Sequence, residues 1–207
     1  MYQTLCSESN VSEIIRSLPD EQIRHLTHVK NYVDIITELI VRAGAYPEIK
    51  RLGEYKCFGK AAYYHDIGKA WVPVEILSKP DRLTAEEMSL MRKHPLFAEE
   101  LFKLIRNGSV SGIPSELMQL AHDSAVYHHE WWNGDGYPYG IKCERIPLIA
   151  RITSVCDVYD AITGDRSYRR ARSHEYACRE IEANAGTQFD PGLAKLFLDN
   201  EFQFLVN

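Results

Sequence analysis

At Tyr63-Tyr64-His65-Asp66-Ile67-Gly68-Lys69 the chain closes an apolar segment with an imidazole and a carboxylate one backbone step apart. A carboxylate has two oxygens, so Asp66 can bridge two metal ions while His65 holds one of them. Gly68 lets the backbone turn where a side chain would obstruct it, and Lys69 sets a cation beside the pair. A His-Asp dipeptide alone is a weak signal, because surface pairs and hydrogen-bonded core pairs are commoner than ligands. It gains meaning from His28, His94, His128, His129 and Asp157 elsewhere in the chain. Five imidazoles and two carboxylates without a thiolate suit iron or manganese, admit zinc, and match calcium or magnesium poorly.

These residues need elements to bring them together, and the hydrophobic spacing supplies helices. Ile23, Leu26, Val29, Val33, Ile36 and Ile40 recur every three or four residues between Pro19 and Gly44, the pattern of an amphipathic helix with a start and a stop signal. His28 lies near that stripe; in isolation it would be read as a hydrogen-bonded core histidine more readily than as a ligand. A second helix, about 52–64, delivers His65 and Asp66 at its end. Thr84-Ala85-Glu86-Glu87 is a capping box opening a helix that carries Met88, Met91, His94, Ala98 and Leu101 on one face, bent at Pro95. A helix from near Ser115 ends in His128-His129-Glu130. The loop from Trp131 to Gly140, with three glycines and a proline, forms no regular element. Pro147 opens a helix bearing Asp157 and Asp160, Ser173 and Gly186 bracket another, and Pro191 begins a last one. Without a strand pair, a repeat or a low-complexity tract, the expected class is an all-α bundle of about seven helices. Such bundles build metal sites from side chains on facing helices.

The whole-chain properties exclude several alternatives. A chain of 207 residues with 45% hydrophobic content suits one domain with a sizeable core. A net charge of −5 argues against a sequence-independent binder of nucleic-acid polymers. No apolar run approaches membrane-spanning length, and the N-terminus lacks a secretory pattern. Five scattered cysteines (Cys6, Cys57, Cys143, Cys156 and Cys178) favour free thiols over a disulfide framework. The expectation is a soluble cytoplasmic protein with a short extension over residues 1–18 and one domain over 19–207.

In order along the chain stand His28; His65-Asp66-Ile67-Gly68-Lys69; His94-Pro95; His128-His129-Glu130 followed by Asn133-Gly134-Asp135-Gly136-Tyr137-Pro138; Asp157 with Asp160-Ala161; and Arg166-Ser167-Tyr168-Arg169. This string resembles the HD-GYP family, a branch of the HD phosphohydrolase superfamily, over about residues 19–200. The resemblance implies a metal centre of two or three ions, usually iron or manganese, and hydrolysis of cyclic di-GMP to pGpG or GMP. It assigns His28, His65, Asp66 and Asp157 to one metal, and Asp66, His94, His128 and His129 to the second. It makes Asp66 and Lys69 the catalytic pair, and Lys69, Tyr137, Arg166 and Arg169 contacts to substrate, although Arg169 is more often lysine there. Asn133 stands where Asp is usual and Ala98 where Gly is common. Arg24 stands where many members carry a Glu that helps to hold a third ion; one helical turn before His28, it implies two ions and not three.

The chemistry so implied is attack on phosphorus by a hydroxide bridging two cations ~3.5–4 Å apart. Trp131, Trp132 and Tyr137 could stack on guanines or serve only to anchor their loop. Three functions remain open at this point: a cyclic dinucleotide phosphodiesterase, an HD phosphohydrolase of another nucleotide or phosphoester, and a non-catalytic receptor. A regulatory protein partner or a homodimer also stays open.

Overall fold

The computed structural model describes residues 10–51, 55–165 and 170–205. Among them are eleven α-helices: α1 (Val11–Arg16), α2 (Asp20–Ala43), α3 (Glu48–Arg51), α4 (Phe58–Ala62), α5 (Val74–Leu77), α6 (Ala85–Met91), α7 (His94–Arg106), α8 (Met118–Tyr127), α9 (Leu148–Thr163), α10 (His174–Ala183) and α11 (Pro191–Leu198). No strand occurs among the described residues, only the isolated bridges Asn10–Ser111 and Ala185–Phe189. The all-α class is as expected. Seven helices have seven or more residues; the other four have only four to six, which gives hydrophobic periodicity little to register.

Helix α2 is the axis of the bundle. Leu26, Val29, Val33, Ile36 and Ile40 are fully buried along it and pack on α4 and α9. Truncating such a residue to Ala typically costs about 2–5 kcal/mol. Gly44 ends the helix at φ 65°, a left-handed conformation open to glycine at little cost. Helix α9 packs in turn on α8 and α10, and α8 on α4 and α7. Val11, Ile14 and Ile15 of α1 share the same hydrophobic core. No helix among the described residues is long and apolar enough to cross a membrane.

Two expected helices are broken differently, and both breaks shape the site. The expected helix over 52–64 contains a 3-10 turn, Tyr55–Cys57, and the short α4, after which the chain turns over His65 and Asp66 into a second 3-10 turn, Ile67–Trp71. The single bent helix expected from Thr84 onward is two helices. Its capping box is present, with Thr84 Oγ1 accepting from Glu87 N at 3.2 Å and Glu87 Oε2 from Thr84 N at 2.8 Å. Helix α6 stops at Met91, and Pro95 falls in the first turn of α7, where its missing N–H is not needed. The corner carries Met88, 43% exposed, and Met91 off the core face and onto the wall of a cavity.

Candidate metal centre

Asp66 stands between two histidine groups, one facing each of its oxygens. Oδ1 lies 3.2 Å from His94 Nε2 and 3.8 Å from His128 Nε2. Oδ2 lies 3.4 Å from His65 Nε2 and 3.5 Å from His25 Nε2. Asp157 Oδ1 joins the second group, 3.0 Å from His25 Nε2 and 3.9 Å from His65 Nε2. His129 joins the first, its ring 4.1 Å from that of His128 and 4.9 Å from that of His94. One ligand atom from each member of Asp66, His94, His128 and His129 lies within 4.8 Å of the others, and the same holds for His25, His65 and Asp157.

The local fold aims each imidazole. The Nδ1 atoms of His65, His94 and His128 donate to the carbonyls of Ala62, Met91 and Ser124 at 2.8–2.9 Å. An Nδ1 that donates carries the proton, which leaves the lone pair of a neutral imidazole on Nε2. The Nε2 atoms of His94 and His128 then face each other at 3.5 Å, and those of His25 and His65 at 3.2 Å. Asp66 Oδ1 is buried with no hydrogen-bond partner. Lone pairs converging on a bare carboxylate oxygen cost free energy unless a cation sits among them. The donor set therefore fits divalent metal.

Two glycines allow the approach. A Cβ on Gly68 would collide with the His94 carbonyl oxygen, so only glycine lets the 3-10 turn after Asp66 seat on the start of α7. A Cβ on Gly136 would collide with the backbone of Trp131 and His129. Without it the loop folds back, Tyr137 N donates to the His129 carbonyl at 3.1 Å, and the Tyr137 ring stacks on His129 at 4.7 Å. Glu130 anchors the far side of that loop by accepting from Tyr139 N at 2.7 Å.

Electrostatics divide the two groups. Burial holds His94 down to about 3 and His129 down to about 4, and pushes His128 well below its ordinary range. Burial also opposes the charge on His25, but hydrogen bonds to Asp157, Asp160 and Asp66 overcome it and raise this histidine to about 10. Asp66 and Asp157 are pushed up by burial yet end well below the usual carboxylate range, Asp66 chiefly through Lys69 and Asp157 through His25.

His65, Asp66, His94, His128, His129 and Asp157 are brought together. His28 is not: its Nδ1 contacts Asp160 Oδ1 at 2.9 Å and its side chain is 42% exposed. His25 stands there instead, 3% exposed, a histidine that the sequence reading had not placed in the cluster. His25 lies four residues before Val29 and eleven before Ile36, on the buried stripe, whereas His28 is rotated off it. That heptad-like register was the available signal.

The reason for expecting only two ions changes with it. Arg24 is exposed, and the residue one turn before His25 is Glu21, which lines the neighbouring cavity. Lys69 Nζ donates to Asp66 Oδ2 at 2.5 Å and to Gln22 Oε1 at 3.3 Å; Gln22 is a contact the sequence did not suggest. Arg92, likewise unforeseen, sits over the outer face of Tyr137, 5.5 Å from the ring centroid. Trp132 takes the anchoring role, its backbone N–H donating to the Gln188 carbonyl at 3.0 Å and Arg151 lying over its ring. Asn133 closes the loop by accepting from Asp135 N at 2.9 Å. Arg166 and Arg169 lie outside the described residues. A cavity of about 430 Å³ opens beside the centre, walled by Gln22, His25, Lys69, Asp157 and the apolar Leu83 and Met91.

The family model described as "HD domain" matches residues 24–193. A probable cyclic di-GMP phosphodiesterase of Vibrio cholerae is 36% identical over 181 residues, 87% of this chain and 41% of that protein. A 3'3'-cGAMP-specific phosphodiesterase 2 of the same bacterium is 30% identical over 197 residues, 95% of this chain and 35% of that protein. The chain thus spans about two fifths of the length of these relatives. A solved HDG"Y"P protein from Bdellovibrio bacteriovorus superposes with a TM-score of 0.56 at 18% identity, over 86% of this chain and 52% of that one, a likeness of fold.

Proposed function

The chain belongs to the HD domain family, in its HD-GYP branch, and from that premise we propose that it is a metal-dependent phosphodiesterase of a cyclic dinucleotide. Cyclic di-GMP is the first candidate, with pGpG or GMP as product, and 3'3'-cGAMP the second, in keeping with the substrates named for its relatives. The observation that carries the reading is Asp66, whose two oxygens face two separate donor groups. His25, His65 and Asp157 would hold one ion and His94, His128 and His129 the other, with Asp66 between the two groups. Iron or manganese is the metal that this imidazole-rich, thiolate-free set favours.

Bound divalent ions would supply activation of water and neutralisation of charge at phosphorus. The protein does the rest. Donation from Nδ1 leaves the Nε2 lone pairs of His65, His94 and His128 available to metal, and Asp66 and Asp157 stay ionised. Lys69, in the cavity wall, neutralises a non-bridging phosphate oxygen as charge develops there. Tyr137 braces His129 and offers its edge to the substrate. The apolar lining of Leu83 and Met91 excludes water and receives one face of a base, while Arg166 and Arg169 grip phosphate.

The test is turnover by chelator-stripped protein reloaded with Mn²⁺ or Fe²⁺, ranking kcat/KM for cyclic di-GMP, 3'3'-cGAMP and a simple aryl phosphodiester. The reading expects a cyclic dinucleotide to rank first and chelator to abolish its cleavage. Preference for the aryl ester would indicate another phosphohydrolase, and tight dinucleotide binding without cleavage a receptor.

A further inference from the structure

His28 and Asp160 stand one layer outside the donor cluster. Asp160, on α9 and 3% exposed, faces His25 Nδ1 through Oδ2 at 2.6 Å and His28 Nδ1 through Oδ1 at 2.9 Å. The two histidines are three residues apart on α2, about 60° around the helix, so one carboxylate reaches both. With Nδ1 of His25 committed to Asp160, its Nε2 is the nitrogen turned to Asp157 and His65. A carboxylate on Nδ1 fixes the ring orientation and tautomer of a ligating histidine and makes it a stronger donor, an outer contact worth about 10–100-fold in metal affinity. Asp160 needs fixing in turn. His28 satisfies its second oxygen, and both residues line a separate cavity of about 270 Å³ with Tyr159, Arg172 and His174.

We propose that Asp160 and His28 are positioning residues for the ion held by His25, His65 and Asp157: Asp160 orients His25, and His28 orients Asp160. This rests on the metal-centre reading above. It changes the role of His28 from ligand to outer support, and the two roles use different ring nitrogens. An Asn amide nitrogen overlays Nδ1 of histidine, and a Gln amide overlays Nε2. His28→Asn can therefore still donate to Asp160, whereas His28→Gln would best replace a ligand acting through Nε2.

The experiment measures Mn²⁺ affinity of the chelator-stripped 207-residue chain by electron paramagnetic resonance of free Mn²⁺, in wild type, His28→Ala, His28→Asn, His28→Gln and Asp160→Asn. The downfield imidazole N–H proton resonances of the metal-free proteins are recorded in parallel, and circular dichroism confirms folding. His28→Ala is expected to weaken one ion site by about 10-fold and to shift the His25 N–H resonance, with the second site unchanged. His28→Asn should restore both readouts and His28→Gln neither. Asp160→Asn should weaken the same site by up to about 100-fold; if it does not fold, the variants of the half-buried His28 still decide. Unaltered Mn²⁺ affinity and an unmoved resonance in His28→Ala would overturn the proposal. So would outright loss of the ion in that variant with rescue by Gln and not by Asn, which would make His28 a ligand. Wild type that takes up no Mn²⁺ would overturn the metal-centre reading and this proposal with it, and differs from failure of the proposal alone, in which wild type loads normally.

Discussion

The two sides of Asp66 share a carboxylate and little else. On the Oδ2 side, His25 and His65 meet Asp157, with Asp160 behind His25. On the Oδ1 side there are only imidazoles, His94 and His128 with His129 beside them. The anionic side raises His25 to about 10, so without metal it holds a proton where an ion would sit. The all-imidazole side drives His94 to about 3 and His129 to about 4 and stays neutral whether or not metal is present. Proton and cation are thus competing occupants on one side only. The asymmetry comes from α9, whose carboxylates Asp157 and Asp160 both meet His25.

The largest expected effect removes what the sides share. Asp66→Ala should lose both ions and lower turnover by several orders of magnitude, with helicity by circular dichroism retained. Near-wild-type turnover in a metal-replete Asp66→Ala protein would falsify the bridging assignment.

Asp157→Asn acts on the anionic side alone. It should weaken that ion site by about 100-fold or more while the imidazole side still loads, so metal analysis after dialysis should fall by close to one ion. Equal loss from both sides would mean that the groups are not separable.

Protons sharpen the contrast further. His25, raised to about 10, contributes stability to metal-free protein that is fully present below the ordinary histidine value of ~6.5 and is lost as pH rises through about 10. His94 and His129, depressed to about 3 and 4, contribute stability present above ~6.5 and lost as pH falls through those values. Metal-free protein should therefore be most stable near neutrality, by urea unfolding, and should weaken in both directions. The alkaline limb should flatten in His25→Asn. Loading metal at about pH 7.5 should release about one proton, readable by calorimetry in buffers of different ionisation enthalpy. Zero release would contradict a protonated His25.

The smallest effect concerns neither side. Arg24→Glu should leave metal content unchanged, because Arg24 is exposed; a gain of one ion would restore Arg24 to the site.

Much of this arrangement was legible in the sequence, and the failures have physical causes. The apolar stripe of α2 announced the central helix, and the His-Asp pair with its distant histidines announced the centre. The same stripe also held the answer on His25, but a motif spaced along the chain does not say which of two nearby histidines faces inward. That depends on 100° steps around a helix, and two residues three apart look alike in a string. Pro95 marked a disruption correctly. Whether it bends one helix or starts another depends on the corner at Arg92, which no local preference dictates. Asp160 was visible only as a second carboxylate on α9, since its role comes from meeting α2, over 130 positions away in sequence.

The measurement closest to the central claim is anomalous diffraction at the manganese edge from crystals grown with Mn²⁺. The account predicts two strong peaks on opposite sides of Asp66, one against His25, His65 and Asp157 and the other against His94, His128 and His129. A peak coordinated by His28, or no peak within bonding distance of Asp66, would contradict it.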